Sequence, residues 1–205
     1  MLPVITIARQ FGSGGHEVGE KVAKKLGLPF FDKELIAMAA KKSGLSEEVF
    51  ADADEKATSS LLYSMVMGSY AFGARVPSIN EMPINDKLFI IQSDIIKKAA
   101  AEGPCVIIGR CADYILREHE NCLNVFVHAD KAARIKRIVG LNYCEEKKAP
   151  DFVTKKDKQR ANYYNFYSNN RWDDLLNYDL TIDTSRFSVD MAVDLIIDAA
   201  KKLDV

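Results

Sequence analysis

Residues 9–17 read Arg9-Gln10-Phe11-Gly12-Ser13-Gly14-Gly15-His16-Glu17, three glycines in four positions between an apolar run and an amphipathic stretch. Glycine tolerates left-handed backbone, so such a turn can aim several N–H groups at one spot, and a helix beginning near His16 adds its positive dipole end. These features suit phosphate, and they make Gly12, Ser13, Gly14, Gly15, His16 and Glu17 candidate anion-binding residues. A plain tight connection from strand to helix would use the same composition.

A second set of candidates is cationic. Arg110 follows the apolar run 105–109 and so leaves the carboxyl end of a strand, where it can meet a ligand or bridge to Asp113. Arg134 and Arg137 lie three apart and share a helical face, either as an anion-facing pair or as a solvated basic face with Lys131 and Lys136. Asp157 and Arg160 have the same spacing, which an intrahelical ion pair explains equally simply. Tyr163, Tyr164, Phe166, Tyr167 and Trp172 could stack a base, although packing of one helix against the core accounts for them more simply. His16 either caps its helix or touches an anion, while His119 and His128 read as structural. No Ser/His/Asp or Cys/His triad spacing can be argued.

The elements that would carry these residues follow from periodicity. Runs 4–8, 105–109, 123–128 and 180–183 are apolar and rich in β-branched residues, as buried strands are, and 28–31 is a shorter fifth. Ser188 stands as N-cap before Val189, Ala192, Val193, Ile196 and Ala200, which fall on one helical face. Val18, Val22 and Leu26 predict a helix directly after the first strand, ended by Gly27. Strands alternating with helices imply an α/β fold, a parallel sheet with helices on both faces and its sites at the carboxyl ends of the strands. Two stretches interrupt the alternation: 43–83, mostly helical with breaks at Gly68, Gly73 and Pro77, and the polar, Lys-rich 140–150. Both are expected over the edge of the sheet, where a substrate clamp or lid belongs.

Composition bounds the partners. Against 29 acidic residues stand 28 basic ones, for a net charge of -1, so no basic field is available to hold nucleic acid. Cys105, Cys111, Cys122 and Cys144 are irregularly spaced and show neither C-x-x-C nor a Cys/His ligand pattern, so they read as reduced, mostly buried thiols, and no metal site is expected. Residues 1–8 run straight into Arg9 without the features of a signal peptide, and no apolar run reaches membrane-spanning length. The expectation is a single cytoplasmic domain over 1–205 with no membrane partner, and self-association is left open.

Several motifs together carry a family resemblance: the opening Ile5-Thr6-Ile7-Ala8-Arg9-Gln10-Phe11-Gly12-Ser13-Gly14-Gly15, then Pro29-Phe30-Phe31-Asp32-Lys33-Glu34-Leu35, Ile108-Gly109-Arg110-Cys111-Ala112-Asp113-Tyr114, and Arg160-Ala161-Asn162-Tyr163-Tyr164 followed by Trp172 and Tyr178-Asp179-Leu180. In these the sequence resembles the cytidylate kinase-like proteins of bacteria. The resemblance implies a P-loop nucleoside monophosphate kinase fold with a clamp-like insertion at about 43–83 and a lid-like segment at about 140–160. It implies that Arg110 matches an acceptor-phosphate arginine, that Arg134 and Arg137 lie at the root of the lid, and that Asp157 and Arg160 match the Asp-x-x-Arg of the lid. There are departures. A full G-x-x-x-x-G-K-[ST] loop has a Lys for the β and γ phosphates and a hydroxyl for Mg²⁺; here Gly15 stands at the Lys position, His16 follows it, and Glu17 replaces a hydroxyl residue. Lys33, Glu34, Ala37 and Met38 stand where cytidylate kinases hold the acceptor nucleotide through Ser-Gly and Tyr-Arg.

What the resemblance implies for activity is ATP-dependent phosphoryl transfer to a nucleoside monophosphate, CMP-like, with Mg²⁺ carried on the nucleotide. Gly12 to His16 would hold the donor phosphates, Arg110 the acceptor phosphate, and Arg134, Asp157 and Arg160 would close from the lid side. The alternative is a nucleotide-binding regulatory or sensor protein that keeps the fold without transfer. The missing Lys argues for the alternative and the arginines for the kinase. A hydrolase, or a kinase acting on a small molecule other than a nucleotide, is a third reading.

Overall fold

Side-chain alternation along the central strand divides the molecule into two layers. In β1 (Val4–Arg9), Ile5 and Ile7 face one side of the sheet and Val4 and Ala8 the other, all of them buried. The computed structural model describes residues 2–32 and 84–203. The expected insertion at 43–83 and the positions Lys33, Glu34, Ala37 and Met38 lie outside the described residues.

The described chain continues through α1 (Gly15–Leu26), β2 (Phe30–Phe31), α2 (Ile84–Glu102), β3 (Val106–Ile108), α3 (Ala112–Ile115), β4 (Cys122–His128), α4 (Lys131–Gly140), α5 (Ala149–Ser168), β5 (Leu180–Asp183) and α6 (Val189–Lys202). Its five strands form one parallel sheet in the order β2-β3-β1-β4-β5. The register sets Ile5 opposite Val106 on one side and Leu123 on the other.

On one face Ile5, Ile7, Val106, Ile108, Val125 and Val127 pack against Val18 and Val22 of α1 and Ile196 of α6. Burying an Ile or Val side chain this fully stabilises by about 2 kcal/mol, so the helix stripes seen in the sequence hold this face together. Ser188 caps α6 by accepting the Met191 N–H, and Gly27 closes α1 as expected. Across the sheet Val4, Ala8, Ile107 and Phe126 pack against Ile96 of α2, Ile115 and Leu116 around α3, and Tyr164, Trp172 and Tyr178.

A smaller apolar cluster of Ile138, Ala149 and Val153 joins α4 to α5, with Phe11 packed against it. The segment 140–160 therefore passes from the end of α4 through a short 3-10 turn (Glu146–Lys148) into the first turns of α5, seated beside the loop after β1. Among the described residues no helix is long and apolar enough to cross a membrane.

Candidate functional site

The loop after β1 has five of its carbonyls tied off. Arg9 O accepts from Arg160 Nη1 at 2.8 Å, Gln10 O from Ser13 Oγ at 2.9 Å, Phe11 O from Arg134 Nη1 at 3.3 Å, Ser13 O from Thr184 Oγ1 at 2.6 Å, and Gly14 O from Val18 N at 2.9 Å. By contrast the N–H groups of Gly12, Gly14, His16 and Glu17 find no acceptor among the described residues, and all four residues line one cavity. Gly14 is the N-cap of α1 at φ 81°, a left-handed conformation costing a side-chain-bearing residue roughly 1–2 kcal/mol. Acceptors mostly satisfied and donors left open at a helix start are an arrangement for binding an anion.

Cations stand around these donors. Arg134, 7% exposed, donates Nε–H to Ala129 O at 3.1 Å and pairs with the Asp157 carboxylate, which also accepts Phe11 N–H at 2.7 Å. The solvated-face reading of Arg134 is thereby replaced, and Asp157 and Arg160 each reach to the loop. Burial, helped by neighbouring Arg110 and Arg134 and opposed by Asp157, lowers the Arg160 guanidinium to about 10; its plane lies over the Phe11 ring, 5.4 Å from the centroid. Arg137 lies 3.7 Å from Glu17, whose carboxylate also takes Lys21 Nζ at 3.0 Å. The repulsion Glu17 would offer a phosphate is offset by these two cations.

Beyond β3 the chain turns through Gly109, Arg110 and Cys111 with φ of 67°, 61° and 56°. Three consecutive left-handed residues, two bearing side chains, mark a strained turn at the carboxyl end of a strand. Asp113 directly follows and is 8% exposed. Burial pushes its carboxyl up to about 6 although Tyr164 donates its phenol at 2.6 Å, and burial also holds the Cys111 thiol well above its ordinary range.

These parts line a cavity of about 780 Å³ walled by the loop, Arg9, Arg110, Arg137, Lys156 and Arg160, with Asp32, Tyr163, Tyr164 and Trp172. Gly12, Gly14, Gly15, His16, Glu17, Arg110 and Arg160 are thus brought together. Ser13, fully buried, supports the loop from beneath by accepting the Gly15 N–H at 3.4 Å. Arg134 and Asp157 stand behind it as a clamp. Gly14 caps α1, so His16 does not; its ring is half-exposed, with Nε2 3.3 Å from Asp32 Oδ2. Most of the aromatic run is core or packs on it, with Tyr167 stacked on Phe89 at 4.0 Å, while Tyr163, Tyr164 and Trp172 also show an edge to the cavity. Arg9 and Thr184 were missed. Arg9 reads as the end of a strand, and Thr184 is joined to the loop only by folding.

A parallel sheet in this order, with a Gly-rich turn leading from the central strand into a helix, is an α/β fold like that of the P-loop kinases. The model of the cytidylate kinase-like family matches residues 4–186, and the chain belongs to that family. An uncharacterized protein from Eubacterium ventriosum ATCC 27560 is 29% identical with a TM-score of 0.74, covering 98% of this chain and 99% of its own. A shikimate kinase from Bacteroides thetaiotaomicron is similar at 14% identity and TM-score 0.56, over 98% of this chain and 99% of its own. A gluconokinase from Sinorhizobium meliloti 1021 is similar at 13% and 0.55, over 98% and 92%. At such identities the last two establish the fold alone. None of the curated proteins matches the chain.

Proposed function

We propose that the protein transfers the γ-phosphoryl group of ATP to a nucleoside monophosphate, CMP-like, in the cytoplasm. The observation that carries this reading is the loop in which the carbonyls of Arg9, Gln10, Phe11, Ser13 and Gly14 are occupied while the N–H groups of Gly12, Gly14, His16 and Glu17 remain for an anion. Phosphoryl transfer asks the protein mainly for positioning and for charge stabilisation. The loop holds the donor phosphates, and Arg110, leaving β3 in the same cavity, holds the acceptor phosphate. An acceptor phosphate oxygen forms the new P–O bond while the bond to ADP breaks. ADP departs with the electron pair, and an ionised phosphate needs no base.

Arg160 stabilises the transferring group from α5, and Arg134 and Asp157 keep the loop in shape for it. Residues 140–160 serve as the lid. Mg²⁺ supplies charge neutralisation when carried on the phosphates. Among the described residues no group of three His, Cys, Asp or Glu side chains is placed to hold a metal.

The test is a thermal-shift screen with nucleoside mono-, di- and triphosphates, followed by transfer assays with the monophosphates that bind. A ligand binding only the native state raises the unfolding temperature by mass action, and ATP with CMP is the pair expected to do so. The glycine at position 15 favours the sensor alternative. A protein that binds ATP tightly and phosphorylates no nucleotide under Mg²⁺ or Mn²⁺ is that sensor.

A further inference from the structure

Position 15, where related loops have a lysine, offers no space for a side chain. A Cβ built on Gly15 would stand 2.5 Å from Arg9 Cβ, 3.0 Å from Arg9 Cγ and 3.2 Å from Val127 Cβ. Nonbonded carbons do not approach so closely, so the stem of Arg9 fills the volume that residue 15 would otherwise enter. Farther out, a Cβ on Gly109 would overlap the Arg9 guanidinium, whose Cζ lies 3.1 Å away. Arg9 thus runs from the last residue of β1, along Gly15, to the turn that follows β3. Two positions lacking side chains make its path.

The backbone at the root of this side chain is fixed. Arg9 pairs with Val127 in the sheet, and its carbonyl takes Arg160 Nη1 at 2.8 Å. Arg9 lines the same cavity as the open loop amides, Arg110 and Arg160. A guanidinium is a planar fork of N–H donors that fits phosphate oxygens.

We propose that Arg9 supplies from β1 the cation that the loop lacks at position 15, reaching the β and γ phosphates of a bound nucleoside triphosphate. The proposal rests on the nucleotide reading above. It makes Gly15 a consequence of Arg9: the stem of one occupies the place of the other, so the loop can hold a cation at either position and not at both.

The experiment compares wild type, Arg9→Met, Gly15→Lys and the double variant Arg9→Gly/Gly15→Lys, in which glycine removes the Arg9 Cβ that stands 2.5 Å from the position 15 Cβ, titrating ATP, AMP and inorganic triphosphate by calorimetry with Mg²⁺. Arg9→Met is expected to weaken ATP binding about 10- to 100-fold, the worth of a charge-assisted contact, and AMP binding far less. Turnover, where present, should fall by roughly 10³. Gly15→Lys alone should lose ATP binding through collision with the Arg9 stem, and the double variant should regain the preference for ATP over AMP.

Equal loss of ATP and AMP affinity in Arg9→Met, or ATP binding unchanged from wild type, overturns the role of Arg9 and leaves the nucleotide reading standing. If Arg9→Met does not fold, the double variant decides alone, and failure to prefer ATP overturns the proposal. Wild type that binds neither ATP nor triphosphate defeats the nucleotide reading and this proposal together.

Discussion

The carboxylate of Asp157, on α5, accepts the backbone N–H of Phe11 at 2.7 Å. The same carboxylate pairs with Arg134, whose Nη1 donates to Phe11 O at 3.3 Å, so both peptide groups flanking residue 11 are held through one ion pair. The loop's shape therefore depends on where α4 and α5 lie.

Removing the carboxylate should cost more than a surface ion pair would. The side chains of Arg134 and Asp157 are 9% and 19% exposed, and leaving one member of such a pair without the other destabilises by about 3 kcal/mol. Asp157→Ala is expected to lose that amount in urea unfolding at unchanged m-value, together with ATP affinity. Asp157→Asn keeps an acceptor for Phe11 N–H and should lose less of both. Equal losses would mean that the contact with the Phe11 amide does not matter.

Why the sequence revealed the sheet and concealed this clamp is a matter of range. Apolar runs located all five strands to within a residue or two, because strands buried on both faces must be apolar almost throughout. The stripe of Val18 and Val22 and the cap at Ser188 are equally local. Asp157 and Phe11 are 146 positions apart, and the nearest partner that spacing offered Asp157 was Arg160, three residues along the same helix. Arg9 stayed unread for the same reason: only folding sets its side chain between Gly15 and Gly109.

Gly14 tests the loop's backbone. Its φ of 81° penalises any other residue, and an added Cβ would overlap the Arg137 guanidinium. A bulky substitution such as Gly14→Val therefore disturbs more than anion binding. Gly14→Ala should destabilise by roughly 1–2 kcal/mol and displace Arg137. Adding Arg137→Ala should relieve the overlap and leave the backbone penalty, so the double variant should be no less stable than Gly14→Ala in thermal unfolding. Additive losses would show that the guanidinium does not crowd this position.

Asp113 gives the protein a pH signature. Its carboxyl rises from 3.8 unfolded to about 6 folded because burial outweighs the Tyr164 hydrogen bond. Between those values the native state holds a proton that the unfolded chain has released, so the contribution of Asp113 to stability is greatest below about pH 4 and declines as pH rises through 6. The decline should be on the order of 2 to 3 kcal/mol. Asp113→Asn, which still accepts from Tyr164, should remove it, so the variant gains on wild type from pH 4 to 7 in urea unfolding. A constant difference across that range would mean that Asp113 ionises normally.

Arg110 offers a separation of function from stability, since its φ of 61° is strained for a side-chain-bearing residue and relaxed for glycine. Strain kept beside a cavity suggests a side chain retained for what it binds. Arg110→Gly should leave stability unchanged or raise it by up to about 1 kcal/mol, the relief being partly offset by the entropy of glycine in the unfolded chain. Monophosphate binding should weaken about 10- to 100-fold through loss of charge-assisted hydrogen bonds, and triphosphate binding, carried by the loop, much less. Thermal unfolding and calorimetry on the same preparation measure both. A variant that loses stability along with CMP affinity would assign Arg110 to the architecture of the turn, and equal loss for CMP and ATP would remove it from the acceptor side.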